Sequence, residues 1–215
     1  MEVGKNKKHF VLVHGACHGA WCWYKVATLL TSAGNRVTAV DLAASGINPK
    51  KFEDEVLKFS EYSLPLLDIM ASLPPQERVI LVGHSLGGLN LALAMDKYPE
   101  KVSVAVFLTA FMPDSSNRPS YILDKYYEQP SSDLLMDCKL DLHKGQGKPA
   151  TILFGPRFLS QRCYQLSPPE VNMVQLPQKN CCMHQSFRRR DTGLLPEFTS
   201  YATKINAFPL ISNVG

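Results

Sequence analysis

The sequence predicts an α/β fold in which a parallel β-sheet is flanked by helices. The first observation is that short apolar runs rich in β-branched residues alternate with stretches of helical spacing between residues 8 and 110. Strands that alternate with helices form parallel sheets whose faces the helices cover. The second observation is the pentapeptide at residues 83–87, of the form Gly-x-Ser-x-Gly, which stands between an apolar run and a helical stretch. A nucleophile elbow requires this strand–turn–helix context.

In chain order, the apolar runs and the helical spacings predict seven elements. The predicted strands are residues 9–13, 36–42, 78–82 and 102–110. The predicted helices are residues 21–33, 53–73 and 88–97. Pro65 should kink or break the second helix, because proline lacks a backbone N–H. The nearly unbroken apolar content of residues 102–110 predicts a buried strand.

The central candidate for chemistry is Ser85, in the middle of the pentapeptide. A serine hydroxyl is a weak nucleophile, so it must lie on an exposed sharp turn where a base reaches it and backbone N–H groups face the developing oxyanion. Residues 14–21 form a small-residue turn directly after the first strand, which suits a loop whose N–H groups approach a ligand. We expect His14, His18 and His84 to shape these turns through hydrogen bonds rather than to catalyse.

Composition excludes several classes of function. The chain has 215 residues and a net charge of +4, of which residues 171–215 carry +3 through five basic and two acidic side chains. The remaining body is close to neutral, so we expect no nucleic-acid and no membrane partner. Six cysteines without a C-x-x-C pair, and a short polar segment at residues 1–8, predict reduced thiols and a soluble cytoplasmic protein. We expect no cofactor and no metal.

From Met112 onward the pattern changes to short amphipathic pieces with many aromatic residues. An insertion that follows a sheet strand can lie over the site as a cap. Alternatively, these aromatics pack a local core. The residues concerned are Tyr121, Tyr126, Tyr127, Phe154, Phe158 and Tyr164.

Five ordered strings give a specific resemblance. They are FVLVHGACHGAW at residues 10–21, GHSLGGLN at 83–90, FMPD at 111–114, FGPRFL at 154–159 and YQLSP at 164–168. Together they resemble the plant methylesterases, which are α/β-hydrolases that cleave methyl esters of small acids such as salicylate, jasmonate and indole-acetate. The resemblance covers roughly residues 8–170 and implies an α/β-hydrolase domain at 1–170 with a cap at roughly 112–170. It also implies a small-molecule ligand, either a methyl ester or a carboxylic acid.

The resemblance assigns roles to four residues. It implies that Ser85 is the nucleophile that forms the acyl-enzyme, and that the N–H groups of Ala16 and Leu86 are the oxyanion donors, with Gly15, Ala16 and Leu86 contacting substrate. The related hydroxynitrile lyases carry threonine in place of Gly15 and glutamate in place of His84, so the chain resembles the esterases more closely. The family often has a cap tryptophan where this chain reads Leu-Met-Asp at residues 135–137.

Residues 171–215 depart from the family, which continues there into a helix, a strand that leads to the triad aspartate, and a final strand and loop with the triad histidine. None of these is recognisable in this tail, so we expect the C-terminal strands to be missing and the tail to form little regular structure. A substitute triad would need His143 or His184. The candidate acids for it, Asp133, Asp137, Asp141 and Asp191, match no family catalytic position.

Other features of the tail have ordinary explanations. Cys181, Cys182 and His184 offer too few ligands at unsuitable spacing for structural zinc. The basic run at residues 188–190 is expected to be solvated rather than to bind nucleic acid.

Three hypotheses follow for function. The first is a methylesterase with Ser85 as nucleophile, inactive or impaired because the triad acid and histidine are absent. The second is a non-catalytic remnant that binds a small acid. The third is a product that folds poorly, because uncovered edges of parallel sheets are costly and prone to aggregation.

Overall fold

The computed structural model describes residues 7–114, 116–117, 121–128, 135–141, 150–168 and 181–184. The first half of the chain forms a four-stranded parallel sheet in the order β2-β1-β3-β4. Its strands are β1 (His9–Val13), β2 (Arg36–Val40), β3 (Val79–His84) and β4 (Val102–Leu108). All four agree with the predicted strands to within a few residues, and the predicted parallel sheet is confirmed.

The helices of this half follow the predicted alternation. A 3₁₀ turn, Ala20–Trp23, leads into α1 (Tyr24–Ser32). Three further helices precede β3, namely α2 (Phe52–Glu55), α3 (Phe59–Tyr62) and α4 (Leu64–Ser72). The elbow helix α5 (Gly87–Lys97) is followed by a 3₁₀ turn, Pro99–Lys101.

The prediction of one continuous helix over residues 53–73 is therefore wrong, although the break expected near Pro65 is present. Pro65 stands in the first turn of α4. This position tolerates proline because its missing N–H would have no partner there. Helices α2 and α3 end after one turn each, at Glu55 and Tyr62, which periodicity alone did not indicate.

Helix α5 is packed tightly against the sheet, and glycines allow that approach. A Cβ atom at Gly83 would lie 2.9 Å from the carbonyl oxygen of Gly87, and one at Gly87 would lie 2.7 Å from the carbonyl oxygen of Val13. Most of α5 is buried, including Leu91 and Ala94. The close contact between strand and helix fixes the turn that carries Ser85.

Strand β4 corrects one expectation, because it is only partly buried. The exposed fractions of Val104, Val106 and Leu108 are 45%, 40% and 47%. Within the described residues, β4 pairs with β3 alone and stands at the edge of the sheet. A continuous apolar run is typical of a strand covered on both faces, but here no described element covers the face on which these three side chains lie.

The second half of the chain contains α6 (Tyr121–Glu128) and a three-stranded antiparallel sheet in the order β5-β6-β7. Its strands are β5 (Lys139–Asp141), β6 (Ala150–Leu153) and β7 (Cys181–His184). Strand β7 was not predicted. It is the one segment of residues 171–215 that the structure describes. The rest of residues 171–215 lies outside the described residues, so the expectation of little regular structure there stays a prediction. Among the helices that the structure describes, none has the length and apolarity to cross a bilayer.

Candidate active site

Ser85 lies at the turn between β3 and α5, as the elbow motif predicts. Its φ of 53° falls in the left-handed region, which is uncommon for residues other than glycine. Its carbonyl oxygen holds this conformation by accepting hydrogen bonds from the N–H of Gly88 at 3.1 Å and of Phe111 at 3.0 Å. The side chain borders a cavity, and no described residue forms a hydrogen bond with its hydroxyl group. A strained turn that presents a free hydroxyl group to a cavity is suited to nucleophilic attack.

Two backbone N–H groups next to Ser85 have no acceptor within the described part of the chain. They belong to Leu86, the residue after the serine, and to Ala16, in the loop after β1. Both residues are buried, and both line the same cavity as Ser85. Buried N–H groups are nearly always paired in native proteins. The arrangement therefore supplies two donors for an oxygen atom of a ligand.

The peptide group that carries the Ala16 N–H is fixed by His14. The Nδ1–H group of His14 donates to the carbonyl oxygen of Gly15 at 2.8 Å, and this carbonyl belongs to the same peptide group as the Ala16 N–H. The His14 Nε2 atom accepts the N–H of Leu42 at 3.2 Å, which fixes the neutral tautomer. His14 is fully buried, and burial lowers its pKa to about 4. Because the peptide group is planar and trans, this contact also orients the Ala16 N–H.

His18 holds the next peptide group and connects it to the second half of the chain. Its Nδ1–H group donates to the carbonyl oxygen of Ala16 at 2.7 Å, so its Nε2 atom accepts the hydroxyl group of Tyr164 at 2.6 Å. The His18 ring stacks on Trp21 and Tyr164, with centroid distances of 5.4 and 5.9 Å. Burial lowers the pKa of His18, which favours the neutral ring. Both loop histidines thus contact backbone, as expected.

His84, the residue before the nucleophile, is half-buried and borders the cavity. Its ring meets His18 edge-on at a centroid distance of 6.5 Å. Burial lowers its pKa. A Cβ atom at Gly15 would lie 2.9 Å from the Cβ of Ser85 and 3.1 Å from the Nδ1 atom of His84. The site therefore has no room for a side chain at position 15 unless one of these neighbours moves.

The cavity has a volume of about 840 Å³. Its wall includes Gly15, Ala16, Ser85 and Leu86, so the structure brings together every residue that the sequence analysis assigned to the site. The second half of the chain contributes a further part of the wall, and a cap at roughly residues 112–170 stays a prediction. The residues from that part are Tyr126, Leu135, Ile152, Phe154, Phe158, Arg162, Cys163 and Tyr164. Leu135 lies in the segment where the family often has tryptophan.

Of the candidate acids of a substitute triad, Asp137 and Asp141 are described, and neither borders the cavity. The Asp137 carboxylate accepts the N–H groups of Arg157 and Phe158, each at 2.9 Å, so it caps the short helix Pro156–Phe158. His143 and Asp133 lie outside the described residues, and of His184 only the backbone is described. In the described ranges no three metal-binding side chains cluster, and the four cysteines whose side chains are described are free thiols.

The sequence analysis missed three residues that shape the site. Asp41 accepts the N–H of Ala20 at 2.7 Å and so anchors the far end of the loop after β1. Its position near the carboxyl end of the predicted strand 36–42 could have indicated this, because ligand sites of open α/β sheets lie at the carboxyl ends of the strands. Trp23 and Arg162 border the cavity from distant parts of the chain, and no local pattern places them there.

Comparisons with known proteins agree with this geometry. The alpha/beta hydrolase family matches residues 10–199. Methylesterase 1 from Arabidopsis thaliana is 52% identical over 170 residues, which cover 79% of this chain and 65% of that protein. Norfluorocurarine synthase 1 from a Strychnos species is 54% identical over 176 residues, which cover 80% of this chain and 66% of that protein.

A crystal structure of a polyneuridine aldehyde esterase mutant is also similar, with a TM-score of 0.78 and 41% identity. The match covers 87% of this chain and 77% of that one. The chain spans just under two thirds of the length of Methylesterase 1. The family match runs past Glu170, and a division of the chain at that residue stays a prediction.

Proposed function

The chain belongs to the plant methylesterase family of the alpha/beta hydrolases, and on this basis we propose that its cavity accepts methyl esters of small carboxylic acids, with Ser85 as the nucleophile. Salicylate, jasmonate and indole-acetate are the acids proposed. The observation that carries the proposal is the joint position of the Ser85 hydroxyl group and two unpaired N–H groups on the wall of one cavity.

The proposed reaction follows from these three groups. The Ser85 oxygen attacks the carbonyl carbon of the ester and transfers its proton to a base. The carbonyl oxygen becomes an oxyanion and accepts hydrogen bonds from the Ala16 and Leu86 N–H groups. The C–O bond to the methoxy group then breaks, and methanol leaves with a proton from the same base. Water hydrolyses the acyl-enzyme by the same steps and releases the acid.

We further propose that the 215-residue chain carries out this reaction slowly, because no suitable base is found among its described residues. His14 and His18 use both ring nitrogens in hydrogen bonds within the protein. His84 forms no hydrogen bond with a described carboxylate that could orient it as a base. Residues 171–215 offer no match to the triad acid and histidine of the family. Oxyanion donors and binding alone leave about 10³- to 10⁴-fold acceleration over water in serine hydrolases that lack a triad member.

Two alternative functions are compared with the same site. The hydroxynitrile lyase alternative is disfavoured, because the lyases carry a threonine in place of Gly15 that helps to hold the cyanohydrin hydroxyl group, and glycine has no side chain for this role. A role in binding a small acid without catalysis uses the same cavity and is the second candidate. We also propose a cytoplasmic location, and the near-neutral charge of residues 1–170 supports the proposal that the chain has no nucleic-acid or membrane partner.

Methanol release tests the proposed substrate class. The purified chain, shown to be folded by circular dichroism, is incubated with methyl salicylate, methyl jasmonate and methyl indole-acetate beside Methylesterase 1 from Arabidopsis thaliana. We expect release at least about 10⁴-fold slower than by the relative, since the loss of even one triad member costs about 10⁴-fold or more. Rates equal to those of Methylesterase 1 would refute the proposal that this chain is impaired. Binding of salicylate, jasmonate and indole-acetate to the folded chain is measured separately by calorimetry. If none of the three acids binds, the proposed substrate class is wrong.

A further inference from the structure

The polar groups on the cavity wall have an uneven balance of charge. Arg162 is the one permanently charged side chain that the described wall contains, and no aspartate or glutamate borders the cavity in the described ranges. His18 and His84, the two histidines on the wall, have pKa values lowered by burial and are neutral at pH 7. The cavity is therefore positively charged, with no described carboxylate to compensate it.

Arg162 lies in the π-helical turn Leu159–Cys163 and is exposed to solvent. It has no ion pair with a described carboxylate, since the ion pairs found in the described ranges join His9 and Arg36 to Glu77. Arg157, one turn earlier, differs from it. Desolvation raises the pKa of the Asp137 carboxyl, but hydrogen bonds from the backbone N–H groups of Arg157 and Phe158, with a smaller effect of the Arg157 charge, lower it overall, and Arg157 does not border the cavity. The two arginines thus share one short segment but differ in their access to a ligand.

The wall also contains a buried donor without an acceptor. The exposed fraction of Trp23 is 5%, and its Nε1–H group has no hydrogen-bond partner among the described residues. An indole N–H is a donor only, and a guanidinium group is likewise a donor only. The unpaired N–H groups of Ala16 and Leu86 and the guanidinium group of Arg162 supply donors on the cavity wall, whereas the Trp23 N–H is buried within the protein. Donors that lack an acceptor are unfavourable where water is excluded, and a ligand rich in acceptors removes that cost.

We propose that Arg162 is a specificity-determining residue, and that it makes the cavity prefer ligands that carry a carboxylate or another anionic group in addition to the ester. The ester lies at Ser85, and the additional anionic group lies toward Arg162 at the cap side of the cavity. Amines of the same size are disfavoured, because a cation meets a like charge and a wall of donors. This inference rests on the proposed function in one respect, namely that the ester occupies this cavity.

Three probes of equal shape and different charge test the proposal. They are monomethyl terephthalate, which is an anion, methyl 4-carbamoylbenzoate, which is neutral, and methyl 4-(aminomethyl)benzoate, which is a cation at pH 7. Binding of each probe to the full chain is measured by isothermal titration calorimetry at low salt. The matched variants are Arg162→Gln and Arg157→Gln, which remove the same charge from the same segment. Thermal unfolding of both variants confirms that they are folded.

We expect the unmodified chain to bind the anion about three- to tenfold more tightly than the neutral probe, since Arg162 is exposed and its interaction is partly screened. We expect the cation to bind most weakly. Arg162→Gln should abolish the preference for the anion, whereas Arg157→Gln should retain it. Equal binding of the three probes, an equal effect of both variants, or no binding of any probe would each overturn the proposal.

The assay also separates this proposal from the proposed function. Calorimetry reports binding whether or not methanol is released. A preference for the anion that depends on Arg162, without any release of methanol, would contradict an esterase function and leave the specificity proposal supported. Release of methanol without a preference for the anion would support the esterase function and contradict the specificity proposal.

Discussion

The Nε2 atom of His18 lies 2.6 Å from the hydroxyl oxygen of Tyr164, and this hydrogen bond connects the loop after β1 to the segment that closes the cavity. The same imidazole donates to the carbonyl oxygen of Ala16, so His18 connects the segment around Tyr164 with the peptide groups around the proposed oxyanion donor. A change in the position of the Tyr164 segment would therefore alter the loop that contains Ala16.

Tyr164→Phe tests this connection. The variant keeps the ring that stacks on His18 but removes the hydroxyl donor. We expect the free energy of unfolding to fall by about 1 kcal/mol, the usual net contribution of one hydrogen bond. Urea titration followed by circular dichroism measures the change. Tyr24→Phe is the control, because the Tyr24 side chain is 56% exposed and should change stability by less than about 0.5 kcal/mol. Equal effects of the two variants would show that the contact with His18 contributes nothing specific.

His14→Ala should be far more damaging, because His14 is fully buried and forms two hydrogen bonds with backbone groups. The N–H of Leu42 would be left without an acceptor, and a cavity would remain. We expect a loss of about 2–4 kcal/mol in the free energy of unfolding. His14→Asn places an amide N–H near the position of Nδ1, so it should recover part of the loss. An alanine variant as stable as the unmodified chain would contradict the assigned role of His14.

Stability should depend on pH through His14. Its pKa is about 4 in the folded chain and 6.5 when unperturbed, so between these values the unfolded state binds more protons than the folded state. Stability is therefore complete above about pH 6.5 and falls as the pH decreases toward 4, by about 3 kcal/mol for this group alone. His9, His18 and His84, whose pKa values are also lowered, act in the same direction. The dependence is measured by urea titrations between pH 4 and 8.

The variant His14→Asn provides the control for this pH dependence, because asparagine does not titrate. Its stability should change with pH less steeply than that of the unmodified chain over the same range. If the free energy of unfolding changed equally with pH in both proteins, other groups would cause the pH dependence, and the lowered pKa of His14 would be refuted.

The sequence predicted the parts of the site that local signals specify. The glycines around Ser85 and the small-residue loop after β1 define tight turns by themselves, so the elbow and the Ala16 loop were predictable from short strings. The resemblance to the methylesterases then implied which N–H groups are the oxyanion donors and that a cap is present. The break at Pro65 was also local, because it follows from the missing N–H of proline.

Other features depend on contacts between distant segments. The partial exposure of β4 could not be read from its apolar sequence, because it depends on which elements cover that face. Strand β7 has the sequence Cys-Cys-Met-His, which lacks β-branched residues, and its formation depends on pairing with β6. The positions of Trp23 and Arg162 on one cavity wall likewise arise only when residues from both halves of the chain meet.

The most direct test of the central claim is the contribution of Ser85 to hydrolysis of an activated ester. The value of kcat/KM for p-nitrophenyl acetate is measured for the 215-residue chain, for Ser85→Ala, and for His143→Ala and His184→Ala as tests of a substitute base. We predict that the unmodified chain and Ser85→Ala differ by less than about threefold, since without a base the hydroxyl group is a poor nucleophile and the oxyanion donors supply the residual rate. Turnover at ordinary enzyme rates that is abolished by Ser85→Ala and by one of the histidine changes would contradict the claim and identify that histidine as the base.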